Sequence, residues 1–208
     1  MPHRLRGLYV ILDPHVAGER DLTHIAAEAI AGGARLIQWR DKQREKGLQL
    51  SNLEAIAGVC RERNVPLIIN DDVDVALAVG ADGVHVGRKD LPVTAVRRIV
   101  PDDWIVGAST NNLEEARQAV ADGATYVSVG NLFGTTSKDD TRPATLEGLH
   151  AVKAAVSVPV CAIGGINESN IRSVIDAGAD IASVISAVVV ADDPRGAAKR
   201  LAAAFEGG

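Results

Sequence analysis

The sequence predicts a single α/β domain, a (β/α)8 TIM barrel over residues 1–208 with its core at about 8–201, and three observations carry that expectation. The first is a recurring phrase, Gly32-Gly33-Ala34-Arg35-Leu36-Ile37, Gly80-Ala81-Asp82-Gly83-Val84, Gly123-Ala124-Thr125-Tyr126-Val127 and Gly178-Ala179-Asp180-Ile181-Ala182. In each, an amphipathic helix ends at a glycine able to take the left-handed cap conformation, and a strand follows. The second is a set of further strand candidates at 8–12, 67–70, 105–108 and 160–163, which brings the total to about eight, each followed by a helical pattern. The third is composition: 47% hydrophobic residues but only 3% aromatic ones require a core of Ala, Val, Ile and Leu, which suits parallel strands covered by helices.

Element ends agree. Asn112 with Glu115 three residues on reads as a capping box, and Pro194 sits where a first-turn proline belongs. A Rossmann or flavodoxin-like sheet needs fewer strands, and no GxGxxG follows the first one. The formal charge of −5 and the lack of a basic stretch argue against nucleic-acid binding, so local cations are expected to serve small anions. Asp13 and Pro14 end the first apolar run too soon for a signal peptide or membrane span, and a cytoplasmic protein is expected. Cys60 and Cys161 lie in a predicted helix and strand outside any metal-binding pattern, and read as buried thiols. The sequence leaves a homo-oligomer open.

Three fragments follow strands and so meet at one barrel mouth: Gln38-Trp39-Arg40-Asp41-Lys42, Ile69-Asn70-Asp71 with Asp90, and Thr135-Thr136-Ser137-Lys138. Alternation puts Gln38, Arg40 and Lys42 on one side and Trp39 and Asp41 on the other. An amide, a guanidinium and an ammonium aimed together suit an anion. Asp71 and Asp90, at adjacent strand ends, can share Mg²⁺, which takes one or two carboxylates plus phosphate oxygens and water. Asp72 and Asp74 read instead as acids at a helix start, and Asp90-Leu91-Pro92 could simply cap the next helix. Ile163-Gly164-Gly165-Ile166 and Val184-Ile185-Ser186 follow strands seven and eight, where many barrels hold a phosphate, although the glycines could simply make a turn. The polar stretch 131–145 reads as a lid. No nucleophile stands out: Ser109 and Ser186 have no adjacent histidine base, His85 reads as packed within strand four, and His3, His15, His24 and His150 look peripheral. Anion clamps with Mg²⁺ but no nucleophile point to a reaction driven by leaving-group stabilisation.

These residues, with Gly80 to Gly87, Asp90-Leu91-Pro92, Gly107-x-Ser109-Thr110 and Ala162 to Ile166 in the same order, resemble the thiamine phosphate synthases, also called thiamine-phosphate pyrophosphorylases. The resemblance implies a transferase that joins a hydroxymethylpyrimidine diphosphate to a thiazole phosphate, giving thiamine phosphate and pyrophosphate. It implies that Gln38, Trp39, Arg40, Asp41, Lys42, Asn70, Ser109 and Lys138 meet the pyrimidine diphosphate, with Arg40, Lys42, Ser109 and Lys138 catalytic, and that Asp71 and Asp90 hold Mg²⁺. Thr135, Thr136, Ser137, Gly165, Ile185 and Ser186 are implied for the thiazole phosphate. The chain departs from the family pattern at Asn131, Gly134 and Thr136, where prolines are usual, at Asp72, commonly arginine, and at Arg88-Lys89, often Gln-Glu. Two rival readings remain. A thiazole tautomerase paralogue tends to carry a histidine two residues past the serine, where this chain has Asn111. A non-catalytic phosphate-ligand sensor would have no use for the acidic pair.

Overall fold

The structure is a computed structural model that describes residues 5–134 and 143–206. Eight parallel strands form a closed barrel in sequence order: β1 (Gly7–Leu12), β2 (Ala34–Trp39), β3 (Leu67–Asn70), β4 (Gly83–Val86), β5 (Ile105–Thr110), β6 (Tyr126–Val129), β7 (Val160–Ile163) and β8 (Ile181–Val184). β8 pairs back onto β1. Helices α1 (Pro14–Ala17), α2 (Leu22–Ala31), α3 (Lys46–Arg63), α4 (Val73–Val79), α5 (Val93–Arg97), α6 (Leu113–Ala121), α7 (Leu146–Ala155), α8 (Ile171–Asp176), α9 (Ser186–Val189) and α10 (Pro194–Ala203) occupy the connections and the C-terminal segment. The barrel expected from the repeat is present, with strands β2 and β5 running on to Trp39 and Thr110.

Strand alternation divides the core in two. Tyr9, Leu36, Ile68, Ile105, Tyr126, Cys161 and Ile181 pack together inside the barrel, with Leu5 beneath them. Val10, Ile37, Ile69, Val84, Val127, Ala162 and Ala182 face outward and pack against the helices. Interior space is filled by two tyrosine rings in an edge-on arrangement, centroids 6.2 Å apart. Gly107, the register partner of Tyr126, makes room for one of them: a Cβ there would lie 2.2 Å from the Tyr126 ring. No other residue fits that place without moving the ring.

The lower face is tied by reciprocal bonds that use the repeated phrase. Asp82 Oδ2 accepts from Leu67 N at 2.8 Å while Asp82 N donates to Leu67 O at 2.9 Å. Asp180 does the same with Val160, at 2.8 and 2.9 Å, and Thr125 with Val106, at 2.9 and 2.8 Å. Each gives a partner to an amide at or near the start of a strand.

Asn112 Oδ1 accepts from Glu115 N at 3.0 Å, as a capping residue should. The return arm reaches one residue further back, with Asn111 N donating to Glu115 Oε2 at 2.9 Å. Pro194 opens α10 behind Asp193, whose carboxylate accepts from Gly196 N at 2.9 Å. Both cysteines are buried thiols, and burial with the nearby Asp82 pushes Cys60 up to about 12. Among the described residues, no helix is long and apolar enough to cross a membrane.

Candidate active site

Residues beyond the strand C-termini gather on one face of the barrel, the face on which such folds carry their sites. Gln38 points inward and is buried, and its Nε2 donates to the Tyr9 hydroxyl at 2.7 Å. Arg40 follows the end of β2, and its backbone N extends the ladder to Leu12 O at 3.0 Å. Its guanidinium Nη1 pairs with Asp13 Oδ2, and both side chains are largely buried. Asp13 Oδ1 meanwhile accepts from His15 N at 2.9 Å and Val16 N at 3.4 Å, capping α1. One carboxylate thus fixes a short helix and orients the arginine fork.

One expectation for this fragment is corrected. Trp39 lies on the side away from the mouth, as alternation puts it, and so does not meet a substrate there: it is 1% exposed, lies in the outer core with Leu53 and Ile56, and donates its indole N–H to Gln49 Oε1 at 3.0 Å. Alternation sends it to the helix layer, where an indole buries its ring and satisfies its donor. Asp41 is a turn residue, its Oδ1 accepting from Gln43 N and Arg44 N at 3.0 Å each.

Asp71 is the centre of the acidic end. It sits just past β3 at φ 63, a left-handed conformation that a short polar side chain tolerates, and its N donates to His85 O at 2.8 Å. Its Oδ2 meets Lys42 Nζ and accepts from Asn70 Nδ2 at 2.6 Å. Burial raises the Asp71 carboxyl above its ordinary range, Lys42 draws it back, and the neighbouring Asp90 pushes it up again. Asp90 is not a helix cap: Pro92 occupies that position at α5, and Asp90 Oδ2 instead accepts from Gly87 N at 3.0 Å. Among the described residues no group of three or more His, Cys, Asp or Glu is placed to cage a metal. The crowding of Asp71 and Asp90 fits a dication held by two carboxylates, with its other positions left to phosphate oxygens and water. Asp72 and Asp74 flank this pair and share Lys46 Nζ, at 2.8 Å each, and Lys46 holds the Asp74 carboxyl below its usual range.

Ser109 lies on the inward side of β5, and its Oγ is 2.9 Å from His85 Nε2. The expectation that this serine lacks a nearby histidine is therefore wrong in space, although right along the chain. His85 is buried in β4 as expected, and its Nδ1 is 2.8 Å from the Tyr126 hydroxyl. Tyr9, Asp13 and Tyr126 had no motif of their own, because their partners lie far away in sequence.

At the opposite side of the mouth, the segment after β6 lies on the end of β7. Leu132 N donates to Ile163 O at 3.2 Å, Phe133 N to Gly164 O at 3.1 Å, and Ala144 N returns to Asn131 O at 2.9 Å. Gly164 and Gly165 have φ of 108 and 64, and a Cβ on either would meet Asn131 Oδ1 at 2.2 Å or Gly134 O at 2.4 Å. The glycine pair thus admits the base of the loop, a use that neither a phosphate nor a turn predicted. Ile185 precedes α9 and Ser186 opens it, exposed at the mouth. Thr135, Thr136, Ser137 and Lys138 lie outside the described residues, as does His3, while His15, His24 and His150 are exposed on helices. Asn111 ties strands together, its Nδ2 donating to Gly130 O at 2.7 Å.

The family model described as thiamine monophosphate synthase matches residues 8–188 of this barrel. The chain belongs to the thiamine monophosphate synthase family. A thiamine-phosphate synthase of Roseiflexus sp. is 50% identical over 195 residues, 93% of this chain and 83% of the relative. That of Chloroflexus aurantiacus is 46% identical over 94% of this chain and 91% of its own length. The solved thiamine phosphate pyrophosphorylase of Pyrococcus furiosus superposes with a TM-score of 0.90 at 40% identity, covering 99% of this chain and 97% of that one. As a thiamine monophosphate synthase family member, the chain is an enzyme, a transferase.

Proposed function

We propose that this enzyme joins a hydroxymethylpyrimidine diphosphate to a thiazole phosphate, releasing pyrophosphate and forming thiamine phosphate. The observation that carries the reading is the convergence of Arg40, Lys42, Asn70, Asp71, Asp90 and Ser109 on one barrel mouth, in a chain of this family. Arg40, oriented by Asp13, offers a planar fork to the diphosphate, and Lys42 offers a mobile point charge. Asp71 and Asp90 would hold Mg²⁺, which would supply positive charge where the departing diphosphate gains negative charge. The C–O bond to the diphosphate breaks first, the leaving group keeps the electron pair, and the pyrimidine stabilises the methyl cation by resonance. The thiazole nitrogen then gives its lone pair to that carbon, and no proton need leave. Each well-placed donor to the departing charge is worth about 3 kcal/mol, on the order of a hundredfold in rate. Gly165, Ile185 and Ser186 are assigned to the thiazole phosphate, together with Thr135, Thr136 and Ser137, and Lys138 to the diphosphate.

Purified protein with Mg²⁺ and both substrates is expected to form thiamine phosphate, read by fluorescence after oxidation to the thiochrome form, and to release pyrophosphate only when both are present. Isomerisation of the thiazole phosphate without coupling would make it a tautomerase, an outcome that Asn111, engaged with Gly130 and unable to act as a base, argues against. Binding with neither reaction would favour a sensor.

A further inference from the structure

We propose that a one-way hydrogen-bond chain through the barrel interior, from Gln38 through Tyr9, Tyr126 and His85 to Ser109, makes the Ser109 hydroxyl a donor toward the substrate. His85 and Tyr126 are positioning residues in this chain. The direction follows from counting protons. Gln38 Nε2, 2.7 Å from the Tyr9 oxygen, can only donate. Tyr9 therefore accepts there and gives its single proton to Tyr126, 3.2 Å away. Tyr126 passes its own to His85 Nδ1 at 2.8 Å, which fixes the neutral ring with its proton on Nε2. Nε2 donates to Ser109 Oγ at 2.9 Å, and the serine proton is left for the mouth.

Tyr9, Tyr126 and Gln38 are buried, and burial holds both phenols far above their ordinary range, so each keeps its one proton. The two ends lie across the barrel from one another, Gln38 on β2 and Ser109 on β5, and both belong to the site assigned to the pyrimidine diphosphate. A serine locked as donor selects an acceptor: a phosphate oxygen or an unprotonated ring nitrogen. A group that only donates is disfavoured, because it would take the one lone pair left on Oγ and leave the serine proton without an acceptor. The identity of the ligand rests on the proposed function; the direction of the chain does not.

Long-range ¹⁵N–¹H correlation spectra of the unliganded protein labelled at histidine are expected to show His85 with a protonated Nε2 and a bare Nδ1. The opposite tautomer overturns the proposal. In kinetics, Tyr126→Phe keeps the ring and removes one hydroxyl, and roughly a tenfold loss of kcat/KM for the pyrimidine diphosphate is expected. Ser109→Ala should lose at least as much. The double variant should be no worse than Ser109→Ala, because the tyrosine acts through the serine. Additive losses would mean that Tyr126 serves packing alone, and would also overturn the proposal. A wild-type protein that makes no thiamine phosphate would sink the proposed function, and the tautomer would still decide the chain.

Discussion

Replacing Asp13 by Asn tests whether Arg40, the arginine of the proposed diphosphate clamp, is held by one buried charge. The substitution keeps an oxygen for the amides of His15 and Val16, so the cap on α1 is preserved while the charge opposite Arg40 is lost. Arg40 is then stranded: its side chain is only 11% exposed, and its Nε already lacks a hydrogen-bond partner among the described residues. Removing one member of a buried pair costs about 3–5 kcal/mol, and the slight exposure of Arg40 argues for the lower end, about 3 kcal/mol. Arg40→Ala should be cheaper, about 1 kcal/mol, since the Asp13 carboxylate retains two backbone donors. The same order should not hold for activity, where Arg40→Ala removes the proposed clamp itself. Urea unfolding of both variants, with m unchanged, reads the stability difference. An Asp13→Asn protein within 1 kcal/mol of the wild type, or one more stable than Arg40→Ala, would refute an orienting pair in a poorly solvated site.

Asp71→Asn and Asp90→Asn are each expected to cut turnover about a hundredfold while leaving the fold intact, and near-normal turnover of either at limiting Mg²⁺ would count against a shared ion. Gly164→Ala forces a side chain into φ 108 and against Asn131, so it should lose about 2–3 kcal/mol and raise the KM for the thiazole phosphate. A variant as stable as the wild type would show that the loop base moves aside easily. With its thiol pushed up to about 12, Cys60 holds its proton at mildly alkaline pH, and an aromatic disulfide reagent should label it only as fast as the protein unfolds. Rapid labelling of the folded protein would contradict that burial.

The barrel was legible because its signals are local: glycine-terminated helices and short apolar runs recur within tens of residues, and the closed sheet follows from their number. Inward placement of Gln38 was legible for the same reason, from period two. That periodicity also sent Trp39 outward, but it could not say that the outward side was a helix layer that the ring fills completely. Long-range partners were hidden. Asp13 reads in sequence as the end of a strand, and only the pairing of β1 with β2 sets its carboxylate against Arg40. His85 reads as a packed histidine, which it is, yet the register of β4 on β5 and β5 on β6 decides that its ring spans Ser109 and Tyr126. That Gly164 and Gly165 also admit the base of the loop was hidden, because a sequence does not reveal which backbone will approach a glycine.

The paired bonds made by Asp82, Thr125 and Asp180 divide the barrel into parts. Each joins the first or second residue of an odd-numbered strand to the residue just before the next even one, so β3 with β4, β5 with β6, and β7 with β8 are each tied below by a reciprocal pair, while single bonds such as Ile105 N to Asp82 O link one block to the next. Chain breaks or exchanges between β4 and β5, or between β6 and β7, leave every such closure whole, whereas a break between β5 and β6 severs one. Segments grafted from another barrel should therefore be accepted in two-strand blocks. The loops above can then change what the mouth binds while the lower closures remain in place.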